Sequence, residues 1–142
     1  MRKRTAAREL ALKLLYQYDL RGEEALEGMQ ALFKQDKASP SVRLFARKIV
    51  KGCHLHWKGL SAAVQKVASN WTLSRMAAID RNILRLCAWE LLACPDTPPA
   101  VAINEAVDLA KKYSTAQSGA FVNGVLDSLR QRADELRKLL EK

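Results

Sequence analysis

Cationic side chains cluster at the amino terminus of this chain in a pattern suited to binding phosphate. The cluster consists of Arg2, Lys3, Arg4 and Arg8. Guanidinium groups bind phosphate oxygens through two parallel N–H donors, and a mobile arm adapts its shape as it binds. The same run of charges is also typical of a solvated tail. The cluster is therefore a candidate nucleic-acid contact, with an inert terminal arm as the alternative.

Two aromatic residues in the second half of the chain stand near further cations. Tyr113 directly follows Lys111 and Lys112, and Phe121 lies across a predicted helix connection. Proteins hold single-stranded RNA by stacking unpaired bases on aromatic rings and by contacting phosphates. The two rings could face one groove, whereas a purely structural Phe121 would be buried in the core.

The pattern of histidines, cysteines and acids does not favour a metal site or catalysis. Cys53, His54 and His56 form a cluster of ligand types, but Cys53 belongs to an apolar helical stripe and no distant partner has suitable spacing. Cys87 and Cys94 complete an odd number of cysteines without redox spacing, which favours a reducing compartment. There is no glycine-rich phosphate loop and no carboxylate pair. The sequence predicts a protein that is not an enzyme and has no cofactor.

Composition points to a basic globular protein with a polyanionic partner. The 142 residues include 49% hydrophobic residues and carry a formal net charge of +9. Eight Lys or Arg and no Asp or Glu fall within residues 37–75. Nucleic acid is the first expected partner, an anionic membrane surface is the second, and a merely soluble basic protein is the alternative. No apolar run approaches the length of a membrane span, so we expect a cytoplasmic protein without a membrane partner.

Apolar residues recur at helical spacing along most of the chain. Gly22 is expected to end a first helix, and a weaker pattern predicts a second helix from Glu23 to about Gln35. A basic amphipathic helix follows, with the apolar stripe Val42, Phe45, Ala46, Ile49, Val50 and Cys53. A further helix after Gly59 carries the stripe Leu60, Val64, Val67, Ala68 and Trp71.

Pro98 marks the start of a predicted helical hairpin that extends to Leu129, with Ser114 and Thr115 as candidate N-caps of its second helix. Gly124 lies inside that second helix, where we expect the close approach of another helix or a ligand. The fold class is all-α, with about seven helices in two small subdomains, residues 1–72 and 73–142, packed as one domain.

Three stretches carry a resemblance to a known family. AINEAVDLAKKYS followed by FVNGVLD resembles the NusB family of transcription antitermination factors, as does the preceding DRNILRLCAWELL. The amino-terminal segment RKRTAARELALKLLYQYDL continues the resemblance, which covers most of the chain in the family's order. The resemblance implies an all-helical fold of two small bundles and no enzymatic activity.

The resemblance also implies a function and its residues. It implies binding of single-stranded boxA-type RNA together with NusE, a ribosomal protein, to promote antitermination of ribosomal RNA transcription by the elongation complex. The RNA-binding positions of the family correspond in this sequence to Arg2, Lys3, Arg4, Arg8, Lys112, Tyr113, Gln117, Ser118 and Phe121. Its partner-binding face maps near Tyr16 and Asp80.

Three other functions fit parts of the pattern. Ribosomal RNA cytosine methyltransferases carry a NusB-like RNA-binding module, but the chain offers no room for their cofactor-binding α/β domain. A homodimeric helical protein that binds nucleic acid is a further alternative, since some NusB-like proteins form homodimers. A helix-turn-helix regulator would prefer duplex DNA, and no compact recognition-helix signature supports it.

Overall fold

The computed structural model describes residues 2–141, and these residues form helices and turns without a strand. Nine α-helices lie in this range: α1 Lys3–Arg21, α2 Glu24–Glu27, α3 Met29–Gln35, α4 Pro40–Leu55, α5 Trp57–Val67, α6 Ala78–Ala93, α7 Pro99–Tyr113, α8 Ala116–Gln131 and α9 Ala133–Leu136. Two 3₁₀ helices, Leu73–Arg75 and Arg137–Glu141, accompany them. All helices except the short α2 and α9 span seven residues or more, which confirms the predicted all-α class with about seven helices.

None of the helices within the described range combines the length and apolarity needed to cross a lipid bilayer. The two ends of the predicted domain, Met1 and Lys142, lie outside the described residues.

The chain divides into two compact units between Lys51 and Gly52. The predicted subdomain boundary near residue 72 stays a prediction. Helix α5 belongs to the second unit, because it packs against α6, α8 and the 3₁₀ helix Arg137–Glu141. Gly59 allows that last contact, since a Cβ there would lie 2.6 Å from the Leu139 carbonyl oxygen. The absence of a side chain at this position thus lets α5 and the carboxyl-terminal segment come together.

In the first unit, glycines end or interrupt the predicted helices. Gly22 ends α1 as expected, with a φ of 76°, and its N–H donates to the Tyr18 carbonyl at 2.7 Å. That conformation is readily adopted by glycine because it has no Cβ. A single helix was predicted from Glu23 to about Gln35, but Gly28 separates α2 from α3.

Helix α4 carries the cleanest apolar stripe of the first half of the chain. Ser39 caps its start, with the Val42 N–H donating to the Ser39 hydroxyl at 3.5 Å. The predicted stripe is buried: Val42, Phe45, Ala46, Ile49, Val50 and Cys53. Lys48 and Lys51 lie on the exposed side, so α4 is the amphipathic and basic helix that the spacing predicted.

In the second unit, α7 and α8 form the predicted hairpin and pack on the largely buried α6. Helix α7 begins directly after Pro98. The Thr115 hydroxyl oxygen accepts the Ser118 N–H at 3.0 Å and caps α8, so Thr115 is the one of the two candidates, Ser114 and Thr115, that acts as the N-cap. The hairpin therefore fixes the start of α8, and five of the expected RNA-binding residues lie near it: Lys112, Tyr113, Gln117, Ser118 and Phe121.

The expectation that another helix closely approaches Gly124 was wrong. Nothing lies within 4 Å of the position that a Cβ would occupy at Gly124. The close approach falls instead at Gly119, where a Cβ would lie 3.1 Å from the Lys111 Cγ atom on α7. Gly124 therefore faces open space on α8.

Candidate nucleic-acid interface

An ordered loop after α5 presents Trp71 to solvent. The apolar spacing had placed Trp71 on a helix, but α5 ends at Val67 and the Trp71 side chain is 57% exposed. The side chain of Gln65 organises this loop. Its Nε2 donates to the Trp71 carbonyl at 2.6 Å and to the Ala68 carbonyl at 3.2 Å, and its Oε1 accepts the Leu73 N–H at 2.8 Å. One side-chain amide thus holds the backbone on both sides of the tryptophan.

A second side chain fixes the far end of the same loop. Arg81, on the first turns of α6, donates from Nη1 to the carbonyl oxygens of Ser74 and Met76, each at 3.3 Å. The 3₁₀ helix Leu73–Arg75 lies between the two sets of hydrogen bonds. The loop that carries Trp71 is therefore held at both ends by side chains from neighbouring helices.

Trp71 contacts Phe121, one of the expected RNA-binding residues. The two ring centroids lie 5.3 Å apart with an interplanar angle of 71°, which is an edge-to-face pair. Pairs of this geometry contribute roughly 0.5–1.5 kcal/mol beyond the burial of their area. Phe121 is only partly buried, so the pair places two accessible aromatic side chains at one surface.

The larger of two cavities beside this pair combines aromatic, amide, hydroxyl and charged groups. Its volume is about 410 Å³, and its walls are formed by Trp71, Arg75, Met76, Ala77, Asp80, Gln117, Ser118 and Phe121. Aromatic rings next to polar side chains suit an unpaired nucleobase, which stacks through its face and hydrogen-bonds through its edge. The structure thus brings Gln117, Ser118 and Phe121 together, as the resemblance implied, and adds Trp71 and Arg75.

A smaller cavity adjoins the other side of the aromatic pair. Its volume is about 290 Å³, and it is lined by Val67, Ala68, Ser69, Asn70, Trp71, Ala120, Phe121, Gly124, Val125 and Ser128. The open space found at Gly124 belongs to this cavity. A ligand at Gly124, the other explanation that the sequence offered, stays a prediction.

Asp80 lies beside the expected RNA-binding residues. Its side chain is 8% exposed, and its Oδ2 accepts the Ser118 hydroxyl proton at 2.9 Å. The Asp80 Oδ1 atom is buried without a hydrogen-bond partner, an arrangement that costs roughly 1–3 kcal/mol. Tyr16, the other residue that the resemblance placed on the partner face, is partly exposed on α1 in the first unit. The partner-binding role of both residues stays a prediction.

Tyr113 and Lys112 lie at the end of α7, and neither lines the two cavities beside Phe121. Tyr113 is 37% exposed, and the Lys112 Nζ atom lies 5.3 Å from its ring centroid. The sequence had suggested that Tyr113 and Phe121 face one groove, but the ring that the structure pairs with Phe121 is Trp71. Trp71 was missed because its spacing from Val64 and Val67 fits a helical stripe.

The amino-terminal cations begin a helix, since α1 starts at Lys3. Arg2, Lys3 and Arg4 are exposed, and the guanidinium carbon of Arg4 lies 4.1 Å from the centroid of the Phe45 ring. Arg8 differs from the other three because it is only 2% exposed and lies 5.7 Å from the same ring. In this structure Arg8 packs against Phe45, whereas the other three side chains are accessible to phosphate.

The cysteines and histidines show the pattern of core and surface residues. Within the described part of the chain, no group of three or more His, Cys, Asp or Glu side chains could hold a metal ion. All three cysteines are buried. Burial raises the pKa of the Cys53 thiol far above its usual value, so this group stays protonated at neutral pH.

Fold and surface together define the class of this chain, an all-α protein with an aromatic cluster and a cationic cluster. Comparison with known proteins makes this class more specific. The NusB family model matches residues 5–131. Transcription antitermination protein NusB of Sorangium cellulosum (strain So ce56) is 41% identical over 126 residues, which cover 89% of this chain and 90% of that protein.

Two solved structures have a similar fold. A chain from the crystal structure of antitermination factors NusB and NusE in complex with dsRNA has a TM-score of 0.84 and 31% identity, covering 92% of this chain and 98% of that chain. NusB of T. maritima has a TM-score of 0.84 and 30% identity, covering 95% of this chain and 96% of that chain. The chain belongs to the NusB family. This membership confirms the resemblance seen in the sequence and the prediction that the protein is not an enzyme.

Proposed function

We propose that this protein is a transcription antitermination factor that binds single-stranded boxA-type RNA together with the ribosomal protein NusE, within the elongation complex that makes ribosomal RNA. The observation that carries the proposal is the Trp71 and Phe121 pair beside a cavity of about 410 Å³. The names of the relatives, which refer to transcription antitermination, support the process. The solved complex of NusB, NusE and dsRNA supports the two kinds of partner.

The cavity favours an unpaired base over a base pair. In a duplex the faces of the bases are stacked on their neighbours, and proteins read mostly the backbone and the groove shape. An unpaired base can stack on Trp71 or Phe121 while its edge meets the Gln117 amide or the Arg75 guanidinium. Double-stranded RNA would meet the exposed cations but would leave the cavity empty.

The charged and aromatic residues would divide the work of binding. Arg2, Lys3 and Arg4 are exposed and attract the RNA backbone without reading its sequence. Lys112, at the end of α7, adds a further accessible cation, with Tyr113 beside it. Arg8 is buried against Phe45, and we assign it a supporting role in place of direct contact with RNA.

NusE is assigned to the two residues that the resemblance implied, Tyr16 in the first unit and Asp80 in the second, and Asp80 also lines the cavity assigned to RNA. Because Asp80 is nearly buried and is hydrogen-bonded to Ser118, NusE contacts at its helix would also bear on the cavity beside Ser118. Two ligands held by one protein raise each other's apparent affinity, through mass action and through effective concentration. NusE is therefore expected to strengthen RNA binding.

A competition titration tests this function. A labelled boxA-like single-stranded RNA is bound to the purified chain at near-physiological salt, with and without NusE, and is displaced by one of four competitors: the same RNA unlabelled, scrambled single-stranded RNA, double-stranded RNA or duplex DNA. We expect the unlabelled boxA-like strand to compete best and NusE to increase that preference. Equal, salt-sensitive competition by all four nucleic acids would contradict the proposal, since it indicates charge attraction alone.

A pair of variants ties the result to the site. Phe121→Ala removes one ring of the aromatic pair and should weaken binding of the boxA-like strand while its salt dependence stays the same. Leu55→Ala serves as the matched control, because Leu55 is an exposed apolar side chain of the same unit that lines neither cavity. Equal losses in both variants would show that the cavity is not the RNA site.

A further inference from the structure

An open cavity of about 700 Å³ lies in the first unit between the start of α1 and helix α4. Five of its lining residues are cations, namely Lys3, Arg4, Arg47, Lys48 and Lys51, and none is acidic. The cavity falls partly within the interval of residues 37–75 that lacks Asp and Glu. Its charge suits a polyanion, and its α4 cations are separate in sequence from the amino-terminal cluster.

Arg4 lies against an aromatic ring while its side chain stays exposed. Its guanidinium carbon lies 4.1 Å from the centroid of the Phe45 ring, and Arg8 lies against the same ring from a buried position. A cation over an aromatic face at this distance is attracted by the ring quadrupole. Because Arg4 is also exposed, its guanidinium group is accessible to a ligand. Arginine planes in that position stack on unpaired bases.

The cations of α4 are arranged along one side of the cavity. Lys48 and Lys51 are exposed and three residues apart, so they share a helix face. Arg47 is fixed in place, since its Nη2 donates to the Gln30 side chain at 2.8 Å and its guanidinium carbon lies 5.8 Å from the Phe33 ring centroid. Its buried Nε has no hydrogen-bond partner. Two exposed lysines beside a fixed arginine suit the phosphate backbone of a single-stranded RNA, which has no regular helical geometry.

The same geometry argues against an acidic amphipathic peptide as the occupant. Such a segment needs an apolar floor for its anchor side chains. The apolar lining of this cavity comes from Leu44, which is 68% exposed, and from the aliphatic stems of its lysines and arginines, because Phe45 is buried beneath Arg4 and Arg8. It therefore offers one exposed apolar side chain and not the row of anchor sites that an amphipathic helix needs. A nucleobase stacked on Arg4 needs no such floor.

We propose that this cavity is an RNA subsite in which one unpaired base stacks on Arg4 and the neighbouring phosphates bind Lys48 and Lys51. The inference rests on the proposed RNA-binding function and extends it to α4. It also changes the expected role of Arg4, from a phosphate clamp that uses the N–H edge to a base platform that uses the guanidinium face. The distinction is testable because lysine can replace the charge but not the plane.

The experiment scans the boxA-like RNA with single abasic positions and compares wild-type protein with Arg4→Lys. In wild type, removal of the base that stacks on Arg4 should weaken binding roughly 5- to 100-fold. In Arg4→Lys that penalty should disappear at the same position, while the salt dependence stays close to wild type. Lys48→Gln/Lys51→Gln should lower the salt slope by about 0.7 for each phosphate that the protein no longer neutralises. Lys58→Gln/Lys66→Gln, two exposed lysines that do not line the cavity, is the charge-matched control.

Three outcomes would be decisive. If Arg4→Lys keeps every abasic penalty and the α4 double variant keeps the wild-type slope, the subsite is wrong, while a wild-type preference for boxA-like RNA still supports the proposed function. If wild type shows no such preference, the proposed function itself fails. A peptide rich in Leu and Glu provides the third test: binding that Lys48→Gln/Lys51→Gln abolishes, with RNA affinity unchanged, would assign the cavity to a protein partner and overturn the RNA subsite.

Discussion

The two compact units present aromatic residues to their surroundings in opposite ways. In the first unit, Phe45 is covered by the guanidinium groups of Arg4 and Arg8, so a cation forms the accessible surface. In the second unit, Trp71 and Phe121 contact each other edge to face and line two cavities directly. The charges of the two units also differ. Residues 1–51 contain twelve Lys or Arg and six Asp or Glu, whereas residues 52–142 contain twelve Lys or Arg and nine Asp or Glu.

The comparison shows that a ring's function depends on what covers it. A phenylalanine beneath arginines positions cations, and its contribution to RNA binding should depend on salt. A ring that is itself accessible stacks on bases, and its contribution should be nearly independent of salt. Variants in the two units should therefore separate affinity from salt dependence.

The largest effect is expected for Trp71→Ala. This change removes an exposed ring and its contact with Phe121, so RNA affinity should fall by about 1–3 kcal/mol while the salt slope stays constant. Titrations over a series of salt concentrations measure both quantities, with Leu55→Ala as the control for removal of an exposed apolar side chain. If Trp71→Ala changes the salt slope as much as an arginine variant does, the proposed difference between the two units is wrong.

A somewhat smaller effect on RNA affinity is expected for Gln65→Ala, which alters the loop that carries Trp71 and leaves the Trp71 ring itself intact. The variant lacks three hydrogen bonds that hold the backbone around Trp71, and the free energy of unfolding should fall by about 1–2 kcal/mol. RNA affinity should fall several-fold because Trp71 is no longer held in place. Urea denaturation and RNA titration measure the two effects, and Gln131→Ala, on an exposed part of α8, is the control. Unchanged RNA affinity in a measurably less stable Gln65→Ala protein would show that the loop need not be fixed.

Gly124→Ala should move stability and binding in opposite directions. Alanine inside a helix is favoured over glycine by roughly 0.5–1 kcal/mol, and nothing within 4 Å opposes its Cβ. The melting temperature should rise while RNA affinity falls, because the methyl group takes space in the smaller cavity. Asn123→Ala, an exposed neighbour on α8 that does not line the cavity, should not weaken RNA binding. Increased stability without any loss of affinity would exclude the smaller cavity from the RNA site.

The smallest change in affinity is expected for Arg2→Gln. Removing one cation that binds a phosphate of a single strand should lower the salt slope by about 0.7, with a modest decrease in affinity at physiological salt. Lys34→Gln, another exposed cation of the first unit, controls for net charge. If the two variants have identical slopes, Arg2 acts through the overall charge of the protein and not through a direct contact.

The sequence predicted those parts of the fold that local interactions determine. Gly22 ends α1 and Thr115 caps α8 because each acts on backbone atoms a few residues away. The end of α5 was predicted too late, since Trp71 fits the apolar spacing of the helix. The Gln65 side chain stabilises the end of the helix by forming hydrogen bonds with the backbone beyond Val67. Apolar periodicity carries no information about hydrogen bonds of this kind.

The candidate site divides in the same way. Gln117, Ser118 and Phe121 come together because they lie on adjacent turns of one helix, which spacing reveals. Trp71 and Asp80 join them only through the packing of other elements. The Asp80 contact with Ser118 spans 38 residues, and no local pattern signals it.

The burial of the native thiols has a practical consequence for measurement in solution. Cys53, Cys87 and Cys94 are all buried, so none offers an accessible thiol to a reagent, and burial also raises the pKa of the Cys53 thiol. A maleimide dye should therefore react with an introduced surface cysteine and leave the native ones unmodified. Lys34→Cys/Lys58→Cys would place one dye on each unit, away from the cavities assigned to RNA, and energy transfer between the dyes would report whether RNA binding changes the distance between them.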